Sequence, residues 1–356
     1  MIRKVFIPVI MVLLLQTIFA SCSKNIYKST LSTTIFFPAP PDTARIQFLT
    51  SYNNSGDVRG AQSKFKSFIV GKEDPIFIEK PYGIAINDNK LFVVDPGIAN
   101  LEVIDLDNNT FEYFIPEGRG MLQSPLNCNF DEEGNLYVAD AGRSQVVVFD
   151  ENLEYKGEIS GDEKFDPSDV FIIGDTLFVT DPKNNRINLY NLYNGQPISY
   201  FPKEAKVGDE NWLYNPLNLH LSNGKIYVTD FGDSRIKIYS MNGEYLSSVG
   251  SYGRGLGQFV RPKGIAVDRD RNLFAIDAGF QNVQIFNENG QLLMFFGGPY
   301  QGPGDMYLPA NIIIDYDHNR YYEKFVDPAF NLKYLIFVTN QYGPDKVSVY
   351  GRIEPK

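Results

Sequence analysis

Six prolines set the architecture of this chain. Pro81, Pro125, Pro167, Pro216, Pro262 and Pro309 recur at intervals of 44, 42, 49, 46 and 47 residues, each just ahead of a short apolar run. In the first five units a tight turn follows, then a second run that ends on an acid: Leu91 to Asp95, Leu136 to Asp140, Leu177 to Asp181, Ile226 to Asp230 and Leu273 to Asp277. The sixth copy, Leu335 to Asn340, ends on the amide. A third run alternates polar and apolar residues, as in Arg186-Ile187-Asn188-Leu189-Tyr190, and Asn194-Gly195, Asn242-Gly243 or Asn289-Gly290 turns it into a fourth. Asn-Gly is the strongest short hairpin signal. Each unit of about 45 residues therefore reads as a four-stranded antiparallel meander, at a repeat length that dictates the whole fold. Second strands such as Leu91-Phe92-Val93-Val94 are apolar at successive positions, so both faces of each sheet must be covered. Sheets stacked face to face around an axis meet that demand, and the expected fold is all-β, a six-bladed β-propeller. At 43% hydrophobic and 14% aromatic residues the chain can fill such a core.

The Pro-x-Gly-Ile-Ala-Val-Asp, Leu-Phe/Tyr-Val-x-Asp and x-Arg-Ile-x-x-Tyr elements resemble NHL repeats over roughly residues 80 to 353. The fifth unit matches best, with its Gly-rich approach Gly253-Arg254-Gly255-Leu256-Gly257-Gln258-Phe259. The resemblance implies the propeller fold and little about chemistry, since one scaffold carries binding modules, lyases and lactonases.

The last unit supplies only three strands, near 311–315, 334–340 and 347–353, which would leave an unpaired edge. Arg45 to Tyr52 is an orphan strand at the other end of the domain, and adding it as the outer strand of blade six would close the ring. Phe65, Phe68 and Ile69 have helical spacing, which predicts one or two helical turns within 61–70.

The amino terminus reads as an address. Arg3 and Lys4 precede an apolar stretch from Val5 to Phe19, of about 15 residues against the roughly 20 that a membrane-spanning helix needs. Phe19-Ala20-Ser21-Cys22 resembles the lipobox of bacterial lipoproteins, departing from it at Phe19, and implies a lipidated Cys22. Residues 1–21 are then a signal peptide, 22–42 a Ser/Thr/Pro-rich tether, and 43–356 the propeller. Ser23 after the cysteine implies the outer membrane, with the domain facing the periplasm or the cell surface.

Composition narrows the chemistry. The formal charge of −10 and pI near 4.9, with no basic run, exclude nucleic acid as a partner. Two histidines, His220 and His318, placed in a first strand and in a distant loop, exclude a multi-His zinc site, and two cysteines exclude a disulfide framework, leaving Cys128 as an expected buried, inert thiol. The third position after each proline reads Gly83, Asn127, Asp169, Asn218, Gly264 and Asn311 and should face the mouth of the central channel. Similar six-bladed lactonases hold calcium there with Glu, Asn and Asp, so Asn127, Asp169, Asn218 and Asn311 are candidate ligands, either of calcium or of channel water. Arg143, Lys183, Arg186 and Arg235 fall in loops on that same top face and form a candidate positive patch. The acids that end the second strands are expected to cap turn N–H groups, with Asp181/Arg186 and Asp230/Arg235 pairing across their hairpins. An insertion in blade six, 316–333, carries Tyr321, Tyr322, Phe325 and Phe330 toward the bottom face as candidate contact anchors. Together these features suggest a monomeric, non-enzymatic ring that binds an envelope or secreted protein or a saccharide. The competing reading is a calcium-dependent, lactonase-like hydrolase or lyase centred on Asp169.

Overall fold

In the computed structural model, which describes residues 34–59 and 74–356, the chain forms six antiparallel sheets arranged as the blades of one ring. The signal segment, Cys22 and the helical turns expected within 61–70 lie outside the described residues. Blade one runs Ile84–Asn87, Lys90–Asp95, Asn100–Asp105 and Thr110–Phe114, and blades two to five repeat this four-stranded meander. The apolar second strands divide their side chains between two neighbours. In blade one, Leu91 and Val93 pack toward blade six, whereas Phe92 and Val94 pack toward blade two. Each of the six blade–blade seams holds its own buried cluster. A fully buried Val, Leu or Phe contributes about 1.5–3 kcal/mol, so the seams between sheets hold the ring together.

Blade six closes the ring. Its sheet contains Pro309–Asp315, Phe330–Asn340 and Val347–Pro355, joined by Ile46–Tyr52, which pairs antiparallel with the last strand from Ile46↔Arg352 to Tyr52↔Val347. The closure strand thus lies where the unpaired edge required one. A further strand, Ile35–Phe37, falls inside the segment expected as tether and pairs outside it, so the blade has five strands. Phe36 and Phe37 explain why: Phe36 stacks on Phe330 at 5.3 Å and Phe37 lies 6.1 Å from Phe296. Three apolar residues at 35–37 are poorly placed in water, and the run of prolines behind them masked that signal.

The insertion of blade six also departs from expectation. Phe330 to Lys333 extends the second strand, pairing with the chain end, and the rest of 316–333 folds against blade one. Tyr322 is buried, donating or accepting a 2.9 Å hydrogen bond with the Tyr52 hydroxyl, and Tyr321 bonds Asp107. The Phe325 carbonyl accepts from Gln47 Nε2 at 2.7 Å. These aromatics seal the seam where the ring closes. Of the four candidate anchors, Phe325 alone counts among the exposed large apolar residues.

Candidate functional site

Bulges aim the channel residues. In blades two, four, five and six the first strand slips register just after its proline, between Pro125 and Asn127, Pro216 and Asn218, Pro262 and Ile265, and Pro309 and Ile312. A bulge bends the strand and redirects the side chain there. The bulges so aim Asn127, Asn218 and Asn311, and these meet Asp169, which lies just ahead of the unbulged first strand of blade three; the four come together, as the spacing implied, and all are buried. Asn127 Nδ2 donates to Asp169 Oδ1 at 2.6 Å, Asn218 Nδ2 to Asp169 Oδ2 at 3.4 Å, and Asn311 Nδ2 to Asn127 Oδ1 at 3.0 Å. Backbone amides of Val170 and Leu219 complete the carboxylate shell at 2.8 and 2.9 Å. The two glycines at this level make room for the belt. A Cβ at Gly83 would stand 2.4 Å from Asn127 Oδ1, and one at Gly264 would stand 2.5 Å from Asn311 Cα.

The donor set decides what this belt can hold. Burial pushes the Asp169 carboxyl up to about 7, opposed by its four N–H donors. Both carboxylate oxygens already accept, Asn127 Oδ1 accepts from Cys128 N and Asn311, and Asn311 Oδ1 accepts from Ile312 N. Calcium needs six to eight oxygens with free lone pairs. Asn218 Oδ1 is the only oxygen of the belt without a donor among the described residues, so the residues present do not fit that ion. Nor, among the described residues, does any group of three or more His, Cys, Asp and Glu side chains form a metal cage. Beside the belt, Thr180, Thr229 and Thr339 hydroxyls donate to the carbonyls of Leu217, Lys263 and Tyr82 on the next blade, tying three seams together.

The acids ending the second strands are structural. Asp95 accepts from Glu79, Lys80 and Gly97 backbone N–H groups, Asp140 from Gln123, Ser124 and Arg143, and Asp277 from Val260, Arg261 and Gly279. Each carboxylate so pins the loop leading into its blade. Arg235 stands opposite Asp230 in register, yet the buried carboxylate takes Lys237 at 3.1 Å, one pleat further along, and Arg235 turns to Asp233. Arg186 pairs with Asp162 at 2.8 Å and only approaches Asp181, at 3.8 Å.

The expected positive patch is accordingly spent. Arg143 donates to the Arg119 and Met121 carbonyls, Lys183 meets Asp166 at 3.1 Å, and Arg186 and Arg235 have the partners just named. The acidic surface supplies each of these four cations with a neighbouring carboxylate or carbonyl. His220 is partly exposed and packs edge-on against Phe171, and its desolvation pushes its pKa down to about 4; His318 lies beside Asp315 at 2.9 Å in the blade-six insertion. Cys128 is buried, and burial holds its thiol far above the ordinary range. On the opposite face a cleft of about 430 Å³ runs between blades two and three, lined by acids including Asp131, Glu133 and Asp175.

A different group of cations lacks such partners. Lys263 Nζ lies 4.9 Å over the Tyr82 ring and 3.5 Å from Gln341 Oε1, while Lys80 Nζ lies 5.6 Å over Tyr342. Tyr342 in turn packs on Tyr307 with ring centroids 5.9 Å apart. Among the described residues none of Lys80, Arg261 and Lys263 forms an ion pair with a carboxylate. The sequence did carry a signal for this cluster: Lys80-Pro81 and Arg261-Pro262-Lys263 place basic residues directly beside the repeat prolines in blades one and five alone.

Fold and site define a six-bladed propeller whose channel is closed by its own side chains at one level. A family model described as "6-bladed beta-propeller" matches residues 198–283, within blades three to five. Among solved structures, the chain is similar to the selenomethionine-substituted virginiamycin B lyase of Staphylococcus aureus (12% identity, TM-score 0.54, covering 85% of this chain and 98% of that one). It is similar also to a streptogramin B lyase (12%, TM-score 0.53, 76% and 83%). A structural-genomics protein of unknown function from Bacteroides thetaiotaomicron gives 13% identity and a TM-score of 0.54 over 87% of this chain and 76% of that one. Identities this low speak for the fold alone. No curated protein matches the sequence.

Proposed function

We propose that this chain is a lipid-anchored, NHL-type propeller of the cell envelope that acts as a non-enzymatic binding module. The observation that carries the reading is the belt around Asp169, whose one carboxylate is surrounded by four N–H donors and hydrogen-bonds no other acid or base among the described residues. General acid–base chemistry needs a group free to exchange a proton with substrate, and here both oxygens of the belt's carboxylate accept from N–H donors, Asn218 Oδ1 alone standing without one among the described residues. A lyase reading draws on the likeness to virginiamycin B lyase, for which a histidine-to-alanine variant is described as catalytically inactive. In this chain His220 packs edge-on against Phe171 and His318 is committed to Asp315, a blade-six residue. Binding needs only surfaces, and the loops of the top face supply them.

The anchor is proposed from Cys22 and its lipobox-like approach, with the outer membrane as destination. Two acyl chains suffice for stable attachment. Cys22→Ser is expected to move the protein from the membrane to the soluble fraction and to abolish palmitate incorporation; equal labelling of the two would contradict the anchor. For the domain, a panel of lactones, esters and oligosaccharides incubated with excess calcium is expected to give saturable binding of a ligand without turnover. Turnover that disappears in Asp169→Asn would make the channel an active site.

A further inference from the structure

On the top face, at the junction of blades five, six and one, the contacts run in a closed circuit. Lys80 covers Tyr342, whose neighbour Gln341 meets Lys263, which covers Tyr82, two residues from Lys80. Tyr307 extends the circuit outward against Tyr342, and both tyrosines are nearly half exposed, 48% and 46%. The circuit joins segments far apart in sequence, so it exists only once the ring has closed.

Its charge is unusual for this protein. With 43 acidic residues against 33 basic, a cation has carboxylates to hand, as Lys183, Arg186 and Arg235 find theirs. Lys263 is held over an aromatic ring, and the charges that act on it are Arg261 and Lys80, both of its own sign. Partial burial and these two neighbours lower its pKa to about 8. Like charges brought together in a half-buried place cost free energy that an anion would relieve. Lys263 is also attached to the belt: its carbonyl accepts from Thr229 at 2.6 Å, which fixes the backbone beneath it.

We propose that this cluster binds a carboxylate-bearing saccharide, a uronide, with the sugar ring on the tyrosine faces and the carboxylate among Lys80, Arg261 and Lys263. The inference rests on the binding-module reading above and names its ligand class. Peptide recognition draws on a free strand edge, an apolar groove or, for acidic motifs, a cluster of cations that needs no aromatic platform. Here the surface consists of loops and strand starts with aromatic faces ringed by ammonium and guanidinium groups, the complement of a flat, hydroxylated ring that carries one negative charge.

The test is isothermal titration of the soluble domain with tetragalacturonate, with maltotetraose as the neutral control and a tetraglutamate peptide as the acidic-peptide control. The expected result is saturable binding of the uronide alone. It should weaken about ten-fold in Lys80→Ala and again in Lys263→Met, the loss of one charge-assisted contact each, with melting temperatures unchanged. Tyr307→Ala should weaken it without altering its salt dependence. Affinity should fall as the pH rises through about 8, where Lys263 loses its proton; Asp169, whose carboxyl is raised to about 7, has largely ionised before then. Equal binding of tetraglutamate, or uronide binding unaffected by Lys80→Ala, would overturn the proposal and leave the binding-module reading in place. Shortening of the oligomer during the titration would overturn the non-enzymatic reading instead.

Discussion

Asp169 is the residue on which the inner ring depends. Its four donors come from blades two, three and four, so truncation orphans N–H groups on three sheets at once. Asp169→Ala is expected to cost about 2–4 kcal/mol, several unsatisfied buried donors plus a small cavity, measured as the shift of the urea midpoint at constant slope. This is the reverse of what the sequence suggests for a lone carboxylate among amides, where a solvated side chain would be dispensable. The pH dependence has a definite sign. The folded carboxyl has its pKa raised to about 7, so the folded state holds a proton that the unfolded chain has released. Asp169 therefore contributes most stability below about pH 4 and loses it as the pH rises through 7. His220, with its folded pKa lowered to about 4, acts oppositely between about 4 and 6.5. The Asp169 contribution is thus read as the difference between wild type and Asp169→Asn, and the advantage of the wild type should shrink from pH 4 to pH 7. Position after the proline was enough to find Asn127, Asp169, Asn218 and Asn311. What they bond was hidden, because the donor pattern depends on neighbouring blades that sequence spacing does not orient. Lys80 and Lys263 were marked only by their place beside the repeat prolines, and that they lack a carboxylate is seen only when their surroundings are known.

At the scale of elements, strand order and blade number were legible, because period, turn chemistry and two-sided apolar strands all agree. The closure strand was legible from an edge left over. The outer strand Ile35–Phe37 and the fate of the blade-six insertion were not, since apolar residues in a loop look the same whether they cover a neighbouring blade or await a partner. Their packing makes a prediction. Removing residues 34–53 exposes the edge of Val347–Pro355 and strips Leu49 and Tyr52 from the blade-one seam. The melting temperature should fall by about ten degrees or more and the protein should aggregate on heating. A smaller probe of the same seam is Tyr322→Phe, which keeps the ring and removes the buried hydroxyl bond to Tyr52, expected to cost about 1 kcal/mol. An unchanged melting temperature in the deletion would show that the ring closes by other contacts.

For the whole molecule, the central claim is that the channel level around Asp169 is a fastening of the ring and not a metal-dependent site, leaving recognition to the top face. Loops there carry exposed Tyr252, Leu256, Tyr307 and Tyr342, whereas the side chains inside the belt have turned to one another. An ion that bound the folded state would stabilise it by mass action, by about 2.7 kcal/mol at a hundred times its dissociation constant. The decisive measurement is thermal unfolding of wild type and Asp169→Asn in 10 mM calcium and in chelator, at about 10 mM as a saturating level for any site of functional affinity. Equal melting temperatures with and without calcium, in both proteins, are the result expected here. A saturable calcium-dependent rise of several degrees in the wild type that vanishes in Asp169→Asn would contradict it and return the channel to the status of an active site.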